Sequence, residues 1–142
     1  MAPRNFATEP VVKLFDKIGV KPQKFDELFE FDNSDDINAQ HIIQEMSSAR
    51  SGTILAIDYL QLLDQRRQSP VIAIQVDALK SLARERGLII IFISQIDRSF
   101  ELSKRLFPDM RDVRLPNPLD LSVFDKACFM SNGEIQMQIK AA

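Results

Sequence analysis

Apolar residues run without interruption at two places, Ile54 to Ile57 and Leu88 to Ile93. Both runs are short and rich in branched residues, so each predicts a strand buried on both faces. Between them the pattern changes period. Ile72, Val76, Leu79 and Ala83 recur at steps of four, three and four, with Leu82 beside them, while Lys80, Arg84, Glu85 and Arg86 cover the outer face. That spacing predicts a helix, with Ser69-Pro70 as cap and first turn and Gly87 as the stop. Strand, helix, strand is a βαβ unit, so the two strands should be parallel.

The flanking segments are weaker. Val11, Leu14, Phe15 and Ile18 make an apolar stripe between a Thr8 cap and a stop at Gly19, with Pro10 in the first turn. Pro22 to Leu28 adds a helical turn, and Leu28 to Asp32 reads as a brief strand followed by a turn over Asn33–Asp36. A second helix is expected from Ile37 to Ala49, with Ala39, Ile42, Ile43 and Met46 on one side. Asp64 to Ser69, carrying Arg66 and Arg67, reads as a loop. Arg98 to Leu106 has a helical pattern, and Phe107 to Leu121 is loop, broken by Pro108, Pro116 and Pro118. Lys126 to Met130 and Glu134 to Ile139 predict two strands joined at Ser131-Asn132-Gly133, because Asn and Gly accept positive φ.

Composition narrows the function classes. The chain has 142 residues, 45% hydrophobic and 27% charged, which is the mixture of one globular domain. No apolar run reaches the ~20 residues of a membrane span, and the start, M-A-P-R-N-F, has no signal-peptide core, so a cytoplasmic protein is expected. One cysteine, Cys128, forms no internal disulfide, and with one histidine, His41, it builds no common zinc site. The net charge of −2 argues against a free-standing basic nucleic-acid binder, though not against a module holding DNA within a ring.

Two polar groups close the two apolar runs. Asp58 ends T-I-L-A-I-D-Y-L-Q-L-L, and Ser94-Gln95-Ile96-Asp97-Arg98-Ser99 follows the second run. Open α/β sheets place ligands at the carboxyl ends of their strands. Taken singly, Asp58 reads equally as a cap for the next turn and S-Q-I-D-R-S as a polar turn. In order at this spacing, with L-K-S-L-A-R-E-R-G-L-I-I-I between them, they resemble the DnaB-type replicative helicases, a RecA-like ATPase family. Asp112-Val113-Arg114 and Phe124–Ala127 extend the likeness more thinly.

The resemblance implies a partial RecA-like, three-layer α/β domain with a mainly parallel sheet and a C-terminal hairpin, residues 1–142 forming one incomplete core. It makes Asp58 the Walker B carboxylate for the magnesium of ATP and Gln95 the γ-phosphate sensor. Asp97 stands where the family has Asn. It implies single-stranded DNA as partner, in a homo-dimer or ring, with Arg98, Lys104, Arg105, Arg111 and Arg114 as candidate DNA contacts. Glu101, Asp109, Asp112 and Asp120 nearly cancel those charges, which equally describes a solvated loop. Phe100 and Phe107 are candidates for base stacking or for core.

One absence changes the picture. The 142 residues contain no G-x-x-x-x-G-K-[ST], and Gly19, Gly52, Gly87 and Gly133 are scattered. A phosphate cradle needs clustered glycines and a lysine. ATP and magnesium are therefore expected not to bind this chain alone, and the helicase core to be inactive alone. Glu9 and Lys140 lie near the family's catalytic glutamate and basic finger without matching either. The alternative is a non-catalytic truncated homologue acting in assembly. A nuclease using Asp58 with Asp64 lacks a second acidic cluster. In the implied fold a strand is missing beside Leu88–Ile93, so the C-terminal hairpin is expected to slide across and pair there, or a second copy to cover that edge.

Overall fold

The computed structural model describes residues 37–64 and 69–139, with positions 13, 16–19, 21, 29–32 and 34–35 nearer the N-terminus. The chain divides into two compact units, Met1–Asp35 and Asp36–Ala142. In the first, residues 16–18 are helical and end at Gly19, which has φ 70° and donates its N–H to Asp16 O at 3.3 Å. Thr8, Glu9, Pro10 and the segment 22–28 lie outside the described residues. The strand expected at 28–32 does not form over 29–32. The chain turns there instead, Asp32 Oδ1 accepting the Ser34 N–H at 2.8 Å.

The second unit opens with α1, Ala39–Glu45, which continues as a 3₁₀ turn over Met46–Ser48. Asn38 caps it, its side chain accepting the His41 N–H at 3.0 Å. The helix is shorter than predicted, and its cap lies beyond the acidic turn. Ala39 and Ile42 are buried, with Ile43 and Met46 packed beside them. Then follow β1, Ile54–Asp58, a 3₁₀ turn over Leu60–Asp64, α2, Ile72–Arg86, and β2, Ile89–Ile93. As the periodicity predicts, β1 and β2 pair in parallel, from Ile54↔Ile89 to Asp58↔Ile93.

The expectation of strands buried on both faces is overturned. Leu55, Ile57, Ile90 and Phe92 face the core, but Ile54, Ile89, Ile91 and Ile93 are 63%, 52%, 46% and 47% exposed. In register, Ile54 with Ile89 and Ala56 with Ile91 share that open face. A continuous apolar run records only that a strand is hydrophobic; among the described residues the helices cover one side. The core they enclose comprises Ala39, Ile42, Ile57, Leu60, Leu63, Ile72, Val76, Leu79, Leu82 and Leu88.

α2 starts without the predicted Ser69 cap, because Val71 stands at the cap position and makes no side-chain bond. Gln75, within the first turn, instead ties neighbouring segments to the helix. Its side chain is 1% exposed, accepts the Ala39 N–H at 3.0 Å, and donates to Leu63 O at 2.5 Å and Pro70 O at 2.6 Å. At the other end Gly87 stops the helix in the left-handed region, φ 66°. A Cβ there would also stand 2.5 Å from Ser51 Oγ, which a turn of the serine side chain relieves, so it is the backbone conformation that calls for glycine.

Beyond β2, α3 is only Ser99–Leu102, much shorter than the helical pattern suggested. The following loop contains 3₁₀ turns at Met110–Asp112 and Leu121–Val123. β3, Lys126–Ser131, and β4, Glu134–Ile139, form the predicted antiparallel hairpin, with Asn132 and Gly133 at φ 50° and 81°. The hairpin does not slide onto β2: β1–β2 and β3–β4 are separate two-stranded sheets. The chain entering the hairpin is held elsewhere. Lys80, predicted to lie on the outer face of α2, donates to Val123 O and pairs with Asp125 at 3.4 Å, and Phe124 packs edge-on against Phe92 at 5.5 Å. No described helix is long and apolar enough to cross a membrane.

Candidate functional site

Parallel pairing brings the two predicted polar groups to one edge. Asp58 is the last residue of β1 and its register partner, Ile93, is the last of β2, so Asp58 and Ser94-Gln95 leave the sheet at adjacent carboxyl ends. Both Asp58 and Gln95 are exposed. The Asp58–Tyr59 peptide is cis.

Gln61, quoted in the first motif but assigned no role there, ties this edge together. It is buried, and its Nε2 donates to Ser94 Oγ at 3.1 Å and to Arg114 O at 2.5 Å. Arg114 in turn donates its backbone N–H to Gln95 O at 2.9 Å, and its Nη1 lies 3.4 Å from Gln95 Oε1. Asp97 N–H donates to Asp112 O at 2.7 Å, beside the isolated bridge Ile96↔Val113. Three segments distant in sequence thus converge: the turn after β1, the loop after β2, and residues 112–114. The signal for Gln61 was its place as the polar residue among Leu60, Leu62 and Leu63. Gln75 was likewise visible as a polar residue in the apolar stripe of α2.

The five candidate DNA contacts separate into groups. Arg105 donates to Asp109 at 2.9 Å and to Asp112 at 2.5 Å, with its guanidinium 5.4 Å from the centre of the half-buried Phe100 ring. Arg111 binds Asp109 through several bonds, the shortest 2.6 Å. Asp109 and Asp112 also form a reciprocal cap over the 3₁₀ turn between them. Arg114 faces Gln95, whereas Arg98 and Lys104 stand exposed outside this carboxylate network.

The Arg111 hydrogen bonds hold the Asp109 carboxyl well below its usual range, and the Arg105 side-chain bond lowers that of Asp112. A carboxylate with a lowered folded-state pKa contributes stability in full above its unfolded value, here 3.8, and loses it as pH falls through the folded value. The loop over 105–112 is therefore expected to stay closed from neutral pH to about pH 4 and to open in stronger acid. Chemical shifts of the Arg105 and Arg111 Nε–H groups across an acid titration check this; release between pH 7 and 5 would contradict it.

Among the described residues no three His, Cys, Asp or Glu side chains stand close enough to hold a metal. Asp64, the other acid considered with Asp58, accepts from Asn117 Nδ2 at 2.5 Å. Lys140, Arg66 and Arg67 lie outside the described residues. Cys128 is exposed with a free thiol, and His41 lies half-buried on α1.

These converging segments all fall within one family match. A family model described as the DnaB-like helicase C-terminal domain matches residues 16–120, most of the chain, and spans Asp58, Gln61, Gln95 and Arg114. The chain belongs to the DnaB-like helicase C-terminal domain family. Neither a curated protein nor a solved structure matches it. The DnaB-like match stops before the β3–β4 hairpin, so everything from Leu121 onward stands outside it.

Proposed function

We propose that this chain is a component of a DnaB-like, ATP-dependent DNA helicase core, contributing one incomplete RecA-like three-layer domain and inactive alone. The observation that carries the reading is the Asp58↔Ile93 register pair, which sets the carboxylate beside Ser94-Gln95 at the sheet's ligand-binding edge. In a completed site Asp58 is the Walker B carboxylate on the magnesium side and Gln95 the neutral amide beside the γ-phosphate. Gln61 holds Ser94 and the Arg114 carbonyl, and through them the loop that presents Gln95. In such an assembly, a homo-dimer or ring on single-stranded DNA, Arg98, Lys104 and Arg114 are the three of the five candidate contacts left for phosphate. Arg105 and Arg111 serve the loop's own carboxylates.

These residues do not suffice for ATP on their own. Magnesium is shared between one or two carboxylates and the substrate's phosphates, and the 142 residues contain no cluster of glycines to cradle those phosphates. Titration calorimetry with a non-hydrolysable ATP analogue and magnesium is expected to show no saturable micromolar binding. Asp58→Asn should leave the fold intact, because Asp58 is exposed. Micromolar binding lost in Asp58→Ala would overturn the claim of inactivity. A loss above about 2 kcal/mol in Asp58→Asn would make the residue structural.

The loop's internal ion pairs favour a second reading, a non-catalytic module working in assembly. Anisotropy of a labelled single-stranded oligonucleotide separates the two. Binding weakened by Arg98→Ala and Lys104→Ala supports the first, and its absence in any completed assembly supports the second.

A further inference from the structure

Exposed sulfur is gathered on one face of the hairpin. Of the methionines among the described residues, Met46 and Met110 are half-buried, whereas Met130 and Met137 are 73% and 53% exposed. Cys128, the sole cysteine, is exposed with a free thiol. The pairing puts all three on the same side, with Cys128 opposite Met137 and Met130 opposite Ile135. Phe129, on the other side, is buried, which turns the sulfur side outward. Cysteine and methionine are among the residues that folded chains most often bury, so three of them sharing one open face need a reason. The hairpin lies beyond residue 120, where the DnaB-like match ends, and the match assigns this face nothing.

We infer that this face is a metal site for copper(I), held by the Cys128 thiolate and the Met130 and Met137 thioethers. The backbone supplies the convergence. In a two-residue hairpin the pair flanking the turn, here Ser131 and Glu134, is hydrogen-bonded, and the pattern alternates along the strands. Met130↔Ile135 and Cys128↔Met137 are therefore non-hydrogen-bonded pairs, with Cα atoms about 4.5 Å apart and side chains at their closest. Met130 follows Cys128 by two residues, about 7 Å along the same face. It is also diagonal to Met137 at about 7–8 Å, within reach of long side chains. Each methionine carries its sulfur on a flexible arm, so the three donors can close on one ion above the strands without moving the backbone.

The donor set selects the ion. Thiolate and thioether sulfur are soft ligands and favour copper(I), which accepts three of them in a plane. Structural zinc takes four ligands from cysteine, histidine and carboxylates, and thioethers are not among them. Magnesium and calcium need oxygen. Besides the three sulfurs the face carries Lys126, Ile135 and Ile139, with no carboxylate and no imidazole; Glu134, Gln136 and Gln138 belong to the other side. Ile135 and Ile139, both exposed, flank the sulfurs with apolar surface. Binding releases the Cys128 thiol proton to solvent and clips β3 to β4. The site lies within one chain and needs no second copy.

Anaerobic titration of the full chain with copper(I), delivered from a chromogenic chelator, tests the site. One equivalent is expected to transfer, with a thiolate-to-copper absorption band in the ultraviolet. Silver(I), a redox-inert substitute, should shift the methyl resonances of Met130 and Met137 and leave that of Met46 in place. Cys128→Ser should abolish binding. Met130→Leu and Met137→Leu, which keep side-chain volume, should each weaken it about tenfold or more, since even losing a hydrogen bond behind a metal ligand costs that much. Met46→Leu should not weaken it. Circular dichroism of each variant confirms that the hairpin persists. No transfer from the chelator, an affinity unchanged in both Met130→Leu and Met137→Leu, one ion bridging two copies through Cys128, or zinc bound as tightly as copper(I) would each overturn the proposal.

Discussion

Replacing Gln75 by leucine is expected to destabilise the Asp36–Ala142 unit by about 3–5 kcal/mol. Leucine fills nearly the same volume, so packing against Ile72, Val76 and Leu79 survives. What is lost is a set of three backbone partners. The Ala39 N–H at the start of α1, Leu63 O at the end of the turn after β1, and Pro70 O ahead of α2 all meet this one amide. Each buried backbone group left unpaired costs about 1–3 kcal/mol, less whatever water recovers at the partly buried Pro70 carbonyl. Urea unfolding should show a large fall in midpoint with an unchanged slope. Gln75→Glu separates hydrogen bonding from shape: it keeps an acceptor for Ala39 but turns a carboxylate on two carbonyl oxygens, so it should also destabilise. A change below about 1 kcal/mol in Gln75→Leu would show that these bonds are not what joins the three segments.

Gln61→Leu should act locally as well as globally. Gln61 Oε1 has no hydrogen-bond partner among the described residues, so the leucine also removes a buried acceptor, and that gain offsets part of the loss at Ser94 and Arg114. A global change of about 1–2 kcal/mol is expected. The larger effect lies in the loop. Without the amide, the segments over 94–97 and 112–114 keep only their own backbone bonds, Asp97 N–H to Asp112 O and Arg114 N–H to Gln95 O. Exchange of those two amides should quicken by about ten- to a hundredfold, equivalent to about 1.4–2.7 kcal/mol of local opening. Amides in the middle of α2 should change only by the global amount. Uniform acceleration would mean that Gln61 is an ordinary core residue, and no acceleration would mean that the sheet edge holds its loops without it.

Much of the architecture was legible from local pattern. The parallel β1–β2 pair followed from two short apolar runs separated by a helical period, and the hairpin from Asn132-Gly133, because these signals arise from backbone sterics acting within a few residues. The family was legible for a similar reason: Asp58, Gln95 and the segment between them keep a fixed order along the chain. Tertiary structure alone decided the rest. Whether Ile54, Ile89, Ile91 and Ile93 are covered depends on which layer packs against them, and an apolar run carries no record of that. Residues 29–32 alternate apolar and acidic side chains as a strand would, yet form none. Arg105 and Arg111 resembled free cations in a list of charges, but the 3₁₀ turn over Met110–Asp112 folds both onto Asp109 and Asp112. Gln61 and Gln75 gained their roles from carbonyls and amides far along the chain. A polar side chain inside an apolar stripe shows that some buried group needs it, and only the packed fold supplies that group.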